Sequence, residues 1–107
     1  MMAATLINIT TQRFASEADM QLRDLRFAKH QDTYLPRLKK AGLIKWTVVR
    51  VWNTETKTTY KHIFEYENTE SFHNCAPIWK EMSEIVFAGI DVKISADRGI
   101  VAEEYIL

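Results

Sequence analysis

The amino-acid sequence predicts an α+β fold with the element order β-α-β-β-α-β, on the basis of two periodicities. Four segments are rich in β-branched or aromatic residues, and the clearest of them alternate between two faces, which is typical of strands. Two longer segments repeat apolar residues at spacings of three and four, which is typical of amphipathic helices. Two β-α-β units with antiparallel pairing place both helices on one face of a four-stranded sheet. We therefore predict a single ferredoxin-like domain over residues 1–107.

The first strand and the first helix follow one another without a linker. The strand is predicted from Thr5 to Phe14, and Ser16 follows as a helix N-cap with Asp19 in the capping-box position. Pro36 predicts a kink, because it lacks an N–H and its ring clashes with the carbonyl four residues earlier. Gly42 is predicted to end the helix. The apolar stripe of this helix is predicted to consist of Leu22, Leu25, Ala28, Leu35 and Leu38.

Two strands joined by a hairpin loop come next, and the first of the two is apolar on both faces. They are predicted from Leu43 to Trp52 and from Thr59 to Glu67, with the loop at residues 53–57. The two faces of the earlier strand carry Trp46 with Val48 and Val49 with Val51. Because two helices cover only one face of the sheet, the other face needs a second cover. We predict a homodimer whose sheets pack face to face.

The second helix is predicted from an apolar stripe that follows Asn68 or Thr69, either of which can serve as its N-cap. The stripe consists of Phe72, Cys75, Ala76, Trp79, Met82 and Val86. Pro77 is predicted to break this helix into a short first turn and a main segment that ends at Gly89.

The end of the chain is the least defined part of the pattern. A last strand is predicted from Gly99 to Leu107, where apolar and β-branched residues return. The pattern of residues 90–98 leaves open whether Val92-Lys93-Ile94 is a strand of its own.

Composition excludes several classes of protein. With 47% hydrophobic and 26% charged residues, the chain is typical of globular proteins. The single cysteine, Cys75, excludes an intrachain disulfide and a cysteine-rich zinc site, and the three glycines exclude a P-loop and a Rossmann fingerprint. No apolar run is long enough to span a membrane, so no membrane partner is predicted. Residues 1–9 lack the basic start of a secretory signal, so we predict a cytoplasmic location.

Charge and histidine spacing argue against further partners. Basic residues concentrate in residues 23–50 and acidic residues after them, but the net charge is zero. Since a nucleic-acid-binding domain is expected to be basic, we predict no nucleic-acid partner and interpret the basic segment as a solvated helix face. The histidines His30, His62 and His73 are not at metal-ligand spacing. We therefore predict no metal and no other cofactor.

The strongest candidate for a binding site is a row of polar residues on the first strand. Asn8, Thr10 and Gln12 share one face of this strand, while Ile7 and Ile9 share the other. In the ferredoxin-like order this strand is central, and a polar row on a central strand lines a hydrated site. We predict that these three polar residues bind substrate. A wet contact with a partner sheet is the alternative.

Two histidines are candidate acid–base groups, because imidazole titrates near neutral pH. His62 lies beside Phe64 on an aromatic strand face; the alternative is a neutral core histidine held by a hydrogen bond. His30 lies one turn from Tyr34 on the first helix and could close the site from that side; the alternative is a surface position. We predict His62 and His30 as catalytic residues and Tyr34 as a substrate-binding residue.

Large aromatic residues are predicted to form the walls of the same site. Trp46, Phe64 and Trp79 each offer a wide apolar surface to an organic ligand, and the alternative is a core or dimer contact. Together the candidates predict a small-molecule-binding protein. The more specific hypothesis is a cofactor-independent enzyme that uses acid–base chemistry on a small cyclic organic substrate. A non-catalytic ligand-binding or stress-associated dimer and a protein-interaction module are the alternatives.

The third strand resembles that of the dimeric α+β barrel superfamily and, within it, the stress-responsive α/β barrel family. The resemblance rests on Tyr60-Lys61-His62-Ile63-Phe64-Glu65-Tyr66-Glu67, followed by Ala76-Pro77-Ile78-Trp79. It implies a ferredoxin-like dimer with a pocket in each subunit between the sheet and the helices. By this resemblance His62 matches a pocket histidine, and Asn8 stands where the family's first strand offers a histidine. Trp79 stands where a plant polyketide cyclase of the family has its catalytic histidine.

A second resemblance is to the L-rhamnose mutarotase branch of the same superfamily. It rests on Ile78-Trp79-Lys80-Glu81-Met82 and on the ending Glu103-Glu104-Tyr105-Ile106-Leu107. It implies a sugar pocket shaped by His30 and by tryptophans of the second helix. EthD-like proteins and cofactor-free monooxygenases share the same outline, and across such families the fold transfers while the reaction does not.

Overall fold

The computed structural model describes residues 4–107, and its elements follow the predicted order. The elements are β1 (Leu6–Phe14), α1 (Glu17–Ala41), β2 (Leu43–Arg50), β3 (Thr59–Tyr66), α2 (Thr69–Val86) and β4 (Val92–Ile100). The four strands form one antiparallel sheet in the order β2-β3-β1-β4. The ferredoxin-like fold predicted from the periodicities is therefore confirmed.

The register of the central strand decides which side chains face the helices. Thr10 pairs with His62 on one side and with Ala96 on the other. Because successive side chains of a strand point to opposite faces, every second residue from these positions lies on the same side of the sheet. This helix-facing side carries Asn8, Thr10 and Gln12 of β1, Trp46 of β2, His62 and Phe64 of β3, and Ile94 and Arg98 of β4.

Both helices begin at a residue type expected for an N-cap, and α1 also ends at the residue type expected for a C-cap. The side chain of Ser16 accepts the backbone N–H of Asp19 at 3.1 Å, and that of Asn68 accepts the N–H of Ser71 at 2.8 Å. Gly42 ends α1 with a φ of 112°, which L-residues rarely adopt. A Cβ atom at Gly42 would lie 2.1 Å from the Ser71 hydroxyl, so a glycine is required where α1 ends against α2.

The predicted break at Pro77 is wrong, and the helix continues through Pro36 as well. α1 and α2 run unbroken, with one proline inside each. Both prolines are exposed, as are Asp32 and His73, the residues four positions earlier. Solvent can therefore satisfy the carbonyl groups that proline leaves without an intrahelical donor, while the opposite side of each helix stays packed.

The predicted last strand is displaced, because β4 occupies residues 92–100 and residues 101–107 form no regular element. β4 pairs with β1 along its whole length. The N–H of Val101 still donates to the carbonyl of Thr5 at 2.9 Å. β1 itself starts at Leu6, so the ladder ends beside Thr5. The apolar residues that follow Val101 therefore have no residue of β1 with which to pair.

The predicted apolar stripe of α1 is also largely wrong. Leu22, Leu25 and Leu35 are 38%, 70% and 39% exposed, whereas the buried residues of α1 are Met20, Arg23, Tyr34 and Leu38. Both sets fit the period of a helix, so spacing alone does not choose between them. The basic segment is accordingly not a wholly solvated face, because Arg23 lies inside. Along residues 4–107, neither helix is long and apolar enough to cross a membrane.

The face of the sheet turned away from the helices carries an apolar patch. Ile9 and Val49 are each 41% exposed there. Ile7, Thr47 and Ile63 on the same side are half-buried, and we call the set Ile7, Ile9, Thr47, Val49 and Ile63 the outer sheet face. The helices cover one face of the sheet, and the other face carries this apolar patch. This arrangement matches the apolar residues on both faces of the second strand, from which a second covering layer is predicted.

Candidate functional site

A cavity of about 280 Å³ lies between the sheet and the two helices. Its floor is the polar row of β1, and its walls are mostly aromatic side chains from β2, β3 and α2. It is open beside β4, where Ile94 is 53% exposed and lines the cavity with Arg98. The volume is close to the lower end of the range for small-molecule sites, about 300–1,000 Å³.

The polar row on β1 faces this cavity and is held by hydrogen bonds. Asn8 and Gln12 are buried, and Thr10 lies between them. The Asn8 amide donates to the Thr10 hydroxyl at 2.8 Å and accepts the Nε–H of Arg98 at 2.9 Å. The row therefore lines the interior of the cavity, where it presents fixed polar groups between the aromatic walls.

His62 sits at the centre of the floor and is 1% exposed. The indole N–H of Trp46 donates to its Nδ1 at 3.0 Å, so the ring proton is on Nε2 and is donated to the Gln12 carbonyl oxygen at 2.8 Å. Burial, together with the nearby Arg23 charge, lowers the pKa of His62 to about 3. At neutral pH His62 is an uncharged ring with both nitrogen atoms engaged.

Aromatic rings form the wall of the cavity. The Trp46 and Trp79 rings meet edge to face at 5.2 Å, and Trp79 lies 4.6 Å from the Phe64 ring. The Trp79 indole donates to the Tyr66 hydroxyl at 2.7 Å, and burial raises the pKa of Tyr66 to about 12. The polar ends of these rings are thus satisfied within the wall, which leaves their apolar surfaces to the cavity.

Arg23 of α1 lines the cavity as a buried cation. Its guanidinium group lies 5.1 Å from the centre of the Phe27 ring and 5.3 Å from that of Tyr60. Its Nη1 is 3.0 Å from an Asp24 carboxylate oxygen. Its Nε is buried and makes no hydrogen bond to any of residues 4–107. The Nη1 group of Arg23 is therefore paired with Asp24, whereas its Nε–H has no acceptor among the described residues.

Arg98 of β4 stands at the open side of the cavity. Besides its bond to Asn8, its guanidinium group lies 4.8 Å from the centre of the Phe72 ring. Arg98 is exposed, unlike Arg23. Within the described part of the chain, no group of three or more His, Cys, Asp or Glu residues is placed to hold a metal ion.

The structure brings seven of the nine predicted site residues to one cavity: Asn8, Thr10, Gln12, Trp46, His62, Phe64 and Trp79. It does not bring His30 and Tyr34 there. The cavity borders α1 at Arg23 and Phe27, and Tyr34 lies about 10 Å further along the helix axis. Tyr34 packs there with Met82 and Val86 in the contact between the two helices, and His30 is half-buried.

The two cavity arginines were not among the predicted site residues. A signal for Arg23 exists in the sequence, since it lies three residues after Met20 and four before Phe27 on one helical stripe. Arg98 carries no such signal, because its position depends on β4 pairing with β1, which the local pattern left open.

Comparison with known proteins gives a family and a fold. The family model of a domain of unknown function, DUF6974, matches residues 3–101. No curated protein matches the sequence.

Three solved structures share the fold along almost the whole chain. A dimeric ferredoxin-like protein from an uncultured marine organism is 27% identical, with a TM-score of 0.84 over 96% of this chain and 99% of that chain. A monooxygenase from Streptomyces coelicolor, in complex with the ligand nanaomycin D, is 12% identical, with a TM-score of 0.70 and coverages of 97% and 93%. A cofactor-independent oxygenase from Streptomyces nogalater is 11% identical, with a TM-score of 0.65 and coverages of 98% and 98%. At such identities the last two show the fold alone. The resemblances to the stress-responsive and mutarotase families stay predictions.

Proposed function

The chain belongs to the DUF6974 family, and for it we propose the function of binding a small, largely aromatic organic molecule between its sheet and its helices. The observation that carries this proposal is a preformed cavity with a satisfied polar floor and an aromatic wall. Such a cavity buries a ring system and orients its polar groups. A protein of similar fold that holds nanaomycin D supports the proposal.

Binding in the cavity is tested with a neutral two-ring fluorescent probe, 6-propionyl-2-dimethylaminonaphthalene, whose emission rises in apolar surroundings. The chain has three tryptophans, and Trp52 is 81% exposed outside the cavity. In the Trp52→Phe protein, energy transfer to the probe therefore comes from Trp46 and Trp79. We expect saturable transfer, and we expect Ala76→Leu, which enlarges a residue that lines the cavity, to weaken binding at least tenfold.

The matched control for this titration is Ala28→Leu, the same substitution at an exposed position of α1 outside the cavity. It is expected to bind the probe as the parent protein does. Equal affinity of the Ala76→Leu and Ala28→Leu proteins would place the probe elsewhere and refute binding in the cavity.

We further propose that the protein is a homodimer joined through the outer sheet face. Ile9 and Val49 leave apolar surface exposed at its centre. Face-to-face packing of two sheets would bury this surface in a self-complementary contact. The marine relative, which is a dimeric ferredoxin-like protein, supports this assembly.

Replacing Ile9 by lysine is expected to dissociate the dimer, because each interface would then bury two added lysine side chains in place of apolar contacts. Sedimentation velocity should show twice the chain mass for the parent protein and a dissociation constant raised at least a hundredfold for Ile9→Lys. Leu25→Lys, at a 70% exposed position of α1, serves as the control and should stay dimeric. A parent protein that sediments as a single chain at high concentration would contradict the assembly.

Cofactor-independent catalysis on the bound molecule stays a prediction from the sequence. The geometry favours a positioning role for His62, because Trp46 occupies its Nδ1 and Gln12 occupies its Nε2–H. A ligand would reach a basic nitrogen only after the bond from Trp46 had opened. The cavity therefore supports binding more strongly than proton transfer by this histidine.

A further inference from the structure

We propose that the cavity recognises an anion, specifically an aromatic carboxylate of about two rings that Arg98 and Arg23 bind at opposite ends. The inference rests on the proposed function, since it names the chemical class of the molecule that the cavity holds.

The first argument is the sign of the charge. The charged side chains that line the cavity are Arg23 and Arg98, and no aspartate or glutamate lines it. His62 adds no charge at neutral pH. Asp24 pairs with Arg23 from outside the cavity, where it also accepts the Tyr60 hydroxyl at 2.8 Å. Asp24 offsets the charge of Arg23, so a neutral ligand would leave the charge of Arg98 without a counterpart, whereas an anion would pair with it.

The second argument is the geometry of Arg98. Its Nε–H is fixed by Asn8, and its guanidinium carbon lies 4.8 Å from the centre of the Phe72 ring. Its two terminal nitrogens make no hydrogen bond to residues 4–107 and belong to a residue that lines the cavity. A guanidinium group held in this way offers two parallel donors to a carboxylate. Arg98 is therefore suited to bind the carboxylate at the open side.

The third argument is the unpaired donor of Arg23. This side chain is 7% exposed, yet its Nε makes no hydrogen bond within the described residues. A buried donor without a partner is destabilising, and buried polar groups in proteins are nearly always paired. Because Arg23 lines the cavity, a small turn of its guanidinium group would bring this donor to an oxygen atom of a ligand there. We assign this donor to a hydroxyl or carbonyl oxygen at the end of the ligand remote from its carboxylate.

The spacing of the two arginines sets the size of the ligand. Arg98 pairs with Asn8, and Arg23 lies over Tyr60, which pairs with Gln12. These positions are four residues apart on β1, which corresponds to about 13 Å along an extended strand. A cavity of about 150 Å³ holds one benzene ring, so 280 Å³ accommodates about two. The aromatic wall lies between the two charged ends.

The test compares 2-naphthoate with 2-naphthamide, its uncharged counterpart of the same shape, by tryptophan quenching in the Trp52→Phe protein. We expect 2-naphthoate to bind at least tenfold more tightly. Arg98→Met should remove this preference, so that 2-naphthoate and 2-naphthamide bind this variant with affinities within twofold of each other. Lys29→Met removes one exposed positive charge outside the cavity and serves as the control, which should keep the preference.

The Arg23 half of the proposal is tested with 6-hydroxy-2-naphthoate. Its added oxygen should improve affinity over 2-naphthoate in the parent protein, and Arg23→Met should abolish this gain. Because Arg23 is buried, Arg23→Met is used only if its circular dichroism spectrum matches that of the parent protein. Arg98 is exposed, so Arg98→Met tests the proposal even if Arg23→Met does not fold. A gain that survives Arg23→Met overturns the assignment of this donor.

The outcomes separate this inference from the proposed function. If the amide binds as tightly as 2-naphthoate and Ala76→Leu blocks both, the cavity binds aromatic molecules and the anion inference is wrong. If 6-propionyl-2-dimethylaminonaphthalene binds but 2-naphthoate does not, the anion inference is likewise wrong. If neither probe binds, the proposed function itself fails.

Discussion

Alanine in place of Gly42 is expected to lower the free energy of unfolding by about 3 kcal/mol. The φ of 112° strains any L-residue, at a cost of about 1–2 kcal/mol. The new Cβ would also lie 2.1 Å from the Ser71 hydroxyl oxygen and 2.4 Å from its Cβ. The first turn of α2 must then move, and overpacking of this kind costs about 1–3 kcal/mol. Urea unfolding followed by circular dichroism measures the loss.

Alanine substitutions at the other two glycines distinguish the cost of backbone strain from the cost of steric overlap. Gly89 has a φ of 72° but open space around its Cβ position, so Gly89→Ala should cost about 1 kcal/mol through strain alone. Gly99 has neither feature, so Gly99→Ala should change stability by less than about 0.5 kcal/mol. A Gly42→Ala protein no less stable than Gly89→Ala would show that α1 and α2 do not meet as closely as described.

Acidification from pH 7 to pH 5 is expected to lower the free energy of unfolding by about 2 kcal/mol through His62 alone. The pKa of His62 is lowered from 6.5 to about 3 in the folded protein. Below pH 6.5 the unfolded chain therefore binds a proton that the folded chain does not. The contribution of His62 is complete above pH 6.5 and is lost as the pH falls toward 3, at up to about 1.4 kcal/mol for each pH unit.

The measurement is the free energy of unfolding of the parent and of His62→Gln at several pH values between 7 and 5. His62→Gln should be less stable at pH 7 by about 1–3 kcal/mol, because the bonds to Trp46 and Gln12 are disturbed. Its stability should also fall less steeply with acidity than that of the parent. Parallel profiles for the two proteins would mean that His62 is protonated as readily in the fold as in the unfolded chain.

The sheet and the floor of the cavity follow from local sequence because strand side chains alternate with a period of two. Once β1 and β3 are placed, alternation alone puts Asn8, Thr10 and Gln12 on the side of His62 and Phe64. The element order then puts the helices over this side. This is why most of the predicted site residues meet in one cavity, although their roles remain to be tested.

Features that depend on distant contacts could not be predicted in the same way. α1 has apolar residues on two stripes, and only packing against α2 and the sheet shows that Leu25 is exposed while Arg23 is buried. β4 is exposed on almost every residue, although Val92, Ile94, Ala96 and Ile100 alternate on one face, so its existence depends on the edge that β1 offers. The interruptions predicted at Pro36 and Pro77 do not occur for a related reason. Solvent on one side of each helix can satisfy the carbonyl groups that proline leaves without a donor, so the helices continue.

The pairing of β1 with β4 determines when the fold can be completed during synthesis. β1 is made before the other elements of this domain, yet Asn8 meets a side chain 90 residues later in the chain. Until β4 leaves the ribosome, β1 has β3 as a neighbour and a free edge on its other side. Contacts between such distant segments close late and slow the folding of a small domain. The open side of the cavity, with Arg98 on it, is therefore the last part of the site to form.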